Sequence, residues 1–164
     1  MSCDPLFTTI TWLGSLYLLL PFSAIFALFL LWAGRPREML MLGLSLLVTV
    51  VLVHVAKLIF QRPRPDSLEL LVPMPTDWSF PSAHTAQATA VFLSVAIIAI
   101  RSLPPVWGGI VAVASTLIII GVGWSRLYLH VHYLSDVVAG CALAVIIVTA
   151  VHLLLPYRQA LGRD

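Results

Sequence analysis

Met39-Leu-Met-Leu-Gly-Leu-Ser-Leu-Leu-Val-Thr-Val-Val-Leu-Val-His-Val-Ala-Lys57-Leu-Ile-Phe60 decides how this chain folds. A soluble helix of that length shows a polar stripe at the 3.6-residue period. Here the residues are apolar all round, and the one charge, Lys57, falls in the last turn. About 20 such residues cross the hydrocarbon core of a bilayer. Outward from this stretch, residues 15–33, 82–100, 106–124 and 135–155 have the same character, and the charges and most prolines lie between them. The 164-residue chain is 60% hydrophobic and only 10% charged, against about 25% charged in soluble domains. One core of this size cannot bury so much apolar surface, so lipid is the solvent.

The expected fold class is all-α: a polytopic transmembrane helical bundle of five spans, making one membrane-embedded domain over residues 1–164. Residues 6–14 are apolar but too short to cross, and are expected to form an interfacial or half-buried helix. No Lys or Arg precedes Ser15 and no cleavage site follows a short apolar core, so a signal peptide is not expected. The chain has no Asn and therefore no N-glycosylation acceptor. Cys3 and Cys141 make no disulfide framework.

Five spans sort the connections onto two faces. Residues 34–38, 101–105 and the tail from 156 carry Arg35, Arg37, Arg101, Arg158 and Arg163. The N-terminus, residues 61–81 and residues 125–134, with Lys57 at their boundary, carry Lys57, Arg62, Arg64 and Arg126. Five against four is a small bias under the positive-inside rule. It grows if the second set has other work.

That second face holds three clusters. Lys57-Leu-Ile-Phe-Gln-Arg62-Pro-Arg64-Pro65 ends the second span. It reads either as a stop-transfer anchor or as cations aimed apart by extended backbone before each proline. Phe80-Pro81-Ser82-Ala83-His84 opens the third span. It is a capped helix start whose free N–H groups and dipole also suit an anion. Ser125-Arg126-Leu-Tyr-Leu-His130-Val-His132-Tyr-Leu-Ser-Asp136 joins the last two spans. If the final helix begins near His132, Asp136 shares its face, holds one imidazole N–H and leaves the other nitrogen as a lone pair. Arg126 adds a fork suited to phosphate oxygens. Asp66, Glu69 and Asp77 are scattered along one loop and read as solvating it, and His130 with His132 supplies too few ligands for a metal. No metal or cofactor is expected.

In this order, Lys57-x6-Arg64-Pro65, Pro81-Ser82-Ala83-His84 and Ser125-Arg126-x5-His132-x3-Asp136 resemble the three-part signature of the type-2 phosphatidic acid phosphatases. That superfamily joins integral membrane lipid phosphatases with the soluble vanadium haloperoxidases, and the hydrophobic frame agrees with the membrane branch. The resemblance implies that His132 is the nucleophile, forming a phosphohistidine, and that Asp136 orients it. His84 would protonate the leaving oxygen and then activate water. Lys57, Arg64, Arg126, Ser82 and the Ala83 N–H would hold the phosphate oxygens, with Arg62 a flanking charge outside the signature. Two departures stand out: Ala83 replaces the usual glycine, and the family core usually has six helices, the sixth here supplied by residues 6–14.

With Lys57, Arg64 and Arg126 retained for phosphate, the remaining cations orient the active face away from the cytoplasm. The expectation is a bacterial inner-membrane enzyme acting on a membrane lipid phosphate. An isoprenyl diphosphate such as undecaprenyl diphosphate comes first, then phosphatidylglycerol phosphate or phosphatidic acid. Residues 70–80, aliphatic and aromatic, line the tail's entrance or anchor the loop. The bilayer and the lipid are the partners implied; nucleic acid and an obligate protein partner are not. The alternative is a lipid-phosphate-binding or lipid-transport protein without catalysis; charges gathered at helix ends rather than at mid-bilayer disfavour the transporter, and binding without turnover stays open. A haem protein is disfavoured because His54 and His152 lie at different depths.

Overall fold

The computed structural model describes residues 4–66 and 72–155. Cys3, Glu69, Arg158 and Arg163 lie outside them, as does the start of the 70–80 segment. The chain forms α1 (Asp4–Trp12), α2 (Leu16–Trp32), α3 (Pro36–Phe60), α4 (Ala83–Ser102), α5 (Pro105–Tyr128) and α6 (Leu134–Leu154), with no strand among the described residues. Prolines at the first positions of α3 and α5 start those helices, where a missing N–H leaves no bond unmade. Gln61, in the left-handed region at φ 40°, ends α3.

Helices α3, α4, α5 and α6 are each long and apolar enough to cross a membrane. α2, with 17 residues, meets α1 at a bend of 43°. α1 is half-buried. It packs along α5, where Phe7 and Tyr128 bring their rings to 4.1 Å.

α4 is the centre of the bundle, touching α2, α3, α5 and α6. Its sequence explains this: Ala86, Ala88, Ala90, Ala96 and Ala99 are buried and small enough to let neighbouring backbones close in. Buried hydroxyls on the same helix bond their own turn, Thr89 to the Thr85 carbonyl and Ser94 to the Ala90 carbonyl, each at 2.7 Å. Larger side chains such as Ile25, Leu28, Leu58, Leu117 and Ile146 point outward, as they must where lipid replaces a hydrophobic core. At the end of the bundle away from Lys57, Arg37 donates to the His152 carbonyl at 3.0 Å and closes the end of α6. Arg35 pairs with Glu38 at 2.9 Å. These cations hold helix ends as well as marking a face.

Candidate active site

The three sequence clusters meet. A cavity of about 210 Å³ is lined by Lys57, Arg64, Ala83, His84, Arg126 and His132, with Asp77, Gln87 and the α1–α2 corner at Ser15–Tyr17 completing its wall. Gly14 makes that corner possible. A Cβ there would stand 2.8 Å from the His84 carbonyl and 2.7 Å from a Val122 methyl. The cavity suits a headgroup rather than a whole lipid, since pockets for larger organic ligands run to about 300–1,000 Å³.

His132 lies ahead of α6 rather than on it. Tyr133 caps the helix, and Asp136, at its third position, accepts the Tyr133 N–H at 3.0 Å. The expected imidazole–carboxylate pair therefore forms through a helix cap, not through a shared helix face. His132 Nδ1 stands 3.4 Å from Asp136 Oδ2. Ser79, which sequence reading passed over, donates its hydroxyl to the same oxygen at 2.5 Å and sits 3.3 Å from Nδ1. On the far side of the imidazole an Arg64 Nη1–H lies 3.1 Å from Nε2. A guanidinium can only donate, so Nε2 carries the lone pair and Nδ1 the proton. Burial pushes the His132 pKa down to about 4; the Asp136 hydrogen bond opposes this, while Arg64, Arg126 and Lys57 add to it. The imidazole is thus neutral at physiological pH.

Arg62 corrects the sequence reading. It is no flanking charge: its Nη1 reaches Asp136 Oδ1 at 2.8 Å and Ser135 Oγ at 2.7 Å, and the guanidinium lies 4.1 Å over the Tyr133 ring. Asp136 is fully buried, so these bonds and those from Ser79 and Tyr133 keep a buried carboxylate supplied with donors. The alternation with Pro63 and Pro65 does send Arg62 and Arg64 to different partners.

Asp77 also departs from its expected role. Instead of solvating the loop, it lies 3.1 Å from Lys57 Nζ and 2.5 Å from Arg64 Nη2. Burial works to raise its pKa, but hydrogen bonds from Arg64 and Lys57 outweigh this and hold it below the usual carboxylate value. Arg126, buried at the base of the site, donates to Thr11 Oγ1 of α1 at 2.7 Å. Ser82 is fully buried and does not line the cavity: its hydroxyl pairs with Thr85 Oγ1 at 3.0 Å, and its N–H donates to the Asp136 carbonyl at 3.0 Å. His54 bonds the Val50 carbonyl of its own helix at 2.9 Å and does not brace Lys57. His130 sits in the turn before α6 at φ 55°. Among the described residues, no three His, Cys, Asp or Glu side chains gather as a metal site.

Arg62 could have been suspected from its place beside Arg64 in a chain so poor in charge. Ser79, Thr11 and Gln87 carry no such signal.

A lipid-facing bundle that gathers its few cations around a carboxylate-backed imidazole has the means to bind and attack a phosphate at the membrane surface. The chain belongs to the PAP2 superfamily, whose family model matches residues 38–160. It is 30% identical over 132 residues to the undecaprenyl-diphosphatase of Sulfolobus acidocaldarius, covering 77% of this chain and 58% of that one. It is 30% identical over 142 residues to phosphatidylglycerophosphatase B of Bacillus subtilis, covering 85% and 69%. Among solved structures, it superposes on the transmembrane PAP2-type phosphatidylglycerolphosphate phosphatase of Bacillus subtilis with a TM-score of 0.87 at 28% identity, covering 97% and 79%. The match to Aquifex aeolicus LpxE has a TM-score of 0.72 at 29% identity, covering 92% and 85%. The chain spans little more than half the length of the archaeal relative.

Proposed function

We propose that the protein is a membrane lipid phosphatase that hydrolyses a phosphate monoester or diphosphate, without a metal, through a phosphohistidine on His132. One observation carries this reading: the Nε2 lone pair of a neutral His132 borders the cation-lined cavity while Asp136 backs Nδ1. Nε2 attacks phosphorus and the bond to the leaving oxygen breaks. His84, also on the cavity wall, takes up a proton beside the bound phosphate anion and gives it to that oxygen. Asp136 steadies the positive imidazole so formed. Neutral His84 next takes a proton from water, whose oxygen attacks phosphorus, and the P–N bond breaks to release phosphate. Lys57, Arg64, Arg126 and the N–H of Ala83 at the start of α4 neutralise the equatorial oxygens. Arg64 moves from Nε2 to the phosphate as it does so. Ser82 joins them once its hydroxyl leaves Thr85.

The substrates named for the relatives favour an isoprenyl diphosphate or phosphatidylglycerol phosphate ahead of phosphatidic acid. The excess of Arg on the opposite face supports an active site outside the cytoplasm, in the bacterial inner membrane.

The test is phosphate release by detergent-purified protein from these three lipids, with and without EDTA. Activity should survive EDTA and vanish in His132→Ala; a requirement for Mg²⁺, or indifference to the substitution, rejects the mechanism. Orientation is tested with an impermeant thiol reagent on a single Cys near Asp66, after removal of Cys3 and Cys141. Labelling only after lysis rejects it.

A further inference from the structure

Two of the cations assigned to phosphate are already engaged by an anion, and it belongs to the chain. Asp77 contacts both Lys57 and Arg64 through its carboxylate, one oxygen to each. Its backbone carbonyl accepts from Arg64 Nε at 2.9 Å, and the next carbonyl, of Trp78, accepts from Lys57. The loop is thus held beside the cations by main-chain bonds that do not need the carboxylate. Asp77 lies between α3 and α4 with its side chain 52% exposed, so its carboxylate can swing away without moving a helix.

An arrangement of this kind answers a problem set by the surroundings. Most anionic lipids of a bilayer are phosphodiesters carrying one negative charge, and they face the mouth of the site at high local concentration. Three cations left open would bind them. A terminal phosphate monoester or diphosphate carries more charge and presents three oxygens rather than two. We propose that Asp77 is a specificity-determining residue: a displaceable internal anion that keeps bulk monoanionic phosphodiester headgroups off Lys57 and Arg64 and yields to the dianionic phosphate of the substrate. The inference rests on the reading that Lys57 and Arg64 hold phosphate.

Displacing Asp77 costs the same whichever ligand enters, so it weakens every anion by the same factor. The weaker binder then falls below occupancy while the stronger one stays above it. Specificity here is a threshold rather than a new contact. Because both ion pairs involve a half-exposed carboxylate, the factor is modest, about tenfold.

Full-length protein in detergent micelles provides the test. Orthophosphate, at about pH 8 where it is mainly dianionic, is titrated calorimetrically. Dioleoylphosphatidylglycerol in the same micelles is the monoanionic competitor, and its effect on orthophosphate binding and on phosphate release from substrate is measured. Wild type is expected to bind orthophosphate and to ignore the diester. Asp77→Asn is expected to bind orthophosphate about tenfold more tightly and to be inhibited competitively by the diester. Asp77→Glu, which keeps the charge, should behave as wild type, and Asp66→Asn controls for charge loss elsewhere on the loop. Unchanged affinity and continued indifference to the diester in Asp77→Asn overturn the inference, as does weaker orthophosphate binding, which would make Asp77 an organiser of the cations. Thermal unfolding separates these results from misfolding, and if Asp77→Asn does not fold, a diester-sensitive Asp77→Glu overturns the proposal. If wild type and every folded variant fail to bind orthophosphate, the phosphate-site reading itself falls with it.

Discussion

Adding one methyl group at Gly140 should damage this protein in a way that the same change at Gly43 or Gly109 does not. Gly140 lies one turn beyond Asp136 on α6. A Cβ there would stand 2.6 Å from the Ser82 carbonyl oxygen, whereas ordinary contact begins at 3.4 Å, and the next neighbour, Ala86 N at 3.5 Å, is backbone as well. No side chain can rotate away, so α6 and the start of α4 must separate by the shortfall, about 0.8 Å. Overpacking of this kind costs about 1–3 kcal/mol, against which Gly→Ala in a helix returns about 0.5–1 kcal/mol. Net destabilisation of about 1–2 kcal/mol is expected. The rate should suffer more. The seam that opens is the one bonded by Ser82 N–H to the Asp136 carbonyl, with His84 on one side and His132 on the other. A misplacement of about 1 Å can cost about 10²-fold. At Gly43 and Gly109 a Cβ meets nothing within 4 Å, so alanine there should be neutral or slightly stabilising. Thermal unfolding in detergent and kcat for phosphate release, measured on all three variants, decide the matter. Wild-type kcat and melting temperature in Gly140→Ala, or equal losses in all three, would refute the packing argument.

Arg62→Ala should lower kcat about tenfold with little change in KM, with partial recovery in Arg62→Lys; a rise in KM alone would mean that Arg62 touches substrate. The pH dependence follows from His132, whose pKa burial lowers from 6.5 to about 4. Once the substrate's own ionisation is divided out, the acid limb of kcat/KM should fall below about pH 5, and an enzymatic limb near pH 6.5 would contradict the buried neutral imidazole. The same shift affects stability: the unfolded chain takes up this proton first, so the His132 contribution is complete above pH 6.5 and is lost as pH falls through about 4. Thr11→Val removes the acceptor of Arg126 Nη1 and should raise KM about fivefold while the melting temperature changes little. Unchanged KM would mean that α1 does not position Arg126.

The helices were legible because a span is a local property. The requirement for about 20 apolar residues can be read from residues 39–60 alone, without reference to any partner far along the chain. The three clusters were legible for a related reason: in a chain with so few charges, those at helix ends stand out. His84, His132 and Asp136, with Lys57, Arg64 and Arg126, were found in this way, and all but Asp136 line one cavity. Asp136 stands behind it, against His132. Ser82 was drawn from the same motif, yet lies behind the wall against Thr85.

The pairing of His132 with Asp136, four residues apart, was legible, but partnership between residues far apart along the chain was not, because it depends on distances of about 3 Å that only folding sets. Arg62 meets Asp136 across 74 residues, and Thr11 meets Arg126 across 115. Asp77 looked like one of several loop carboxylates until folding set it between Lys57 and Arg64. Low charge content therefore identified the solvent and the residues that gather around one cavity. Only the packing of α6 and the α1–α2 corner against α4 decided which of those charges touch, because burial there leaves each polar group dependent on the partner brought to it.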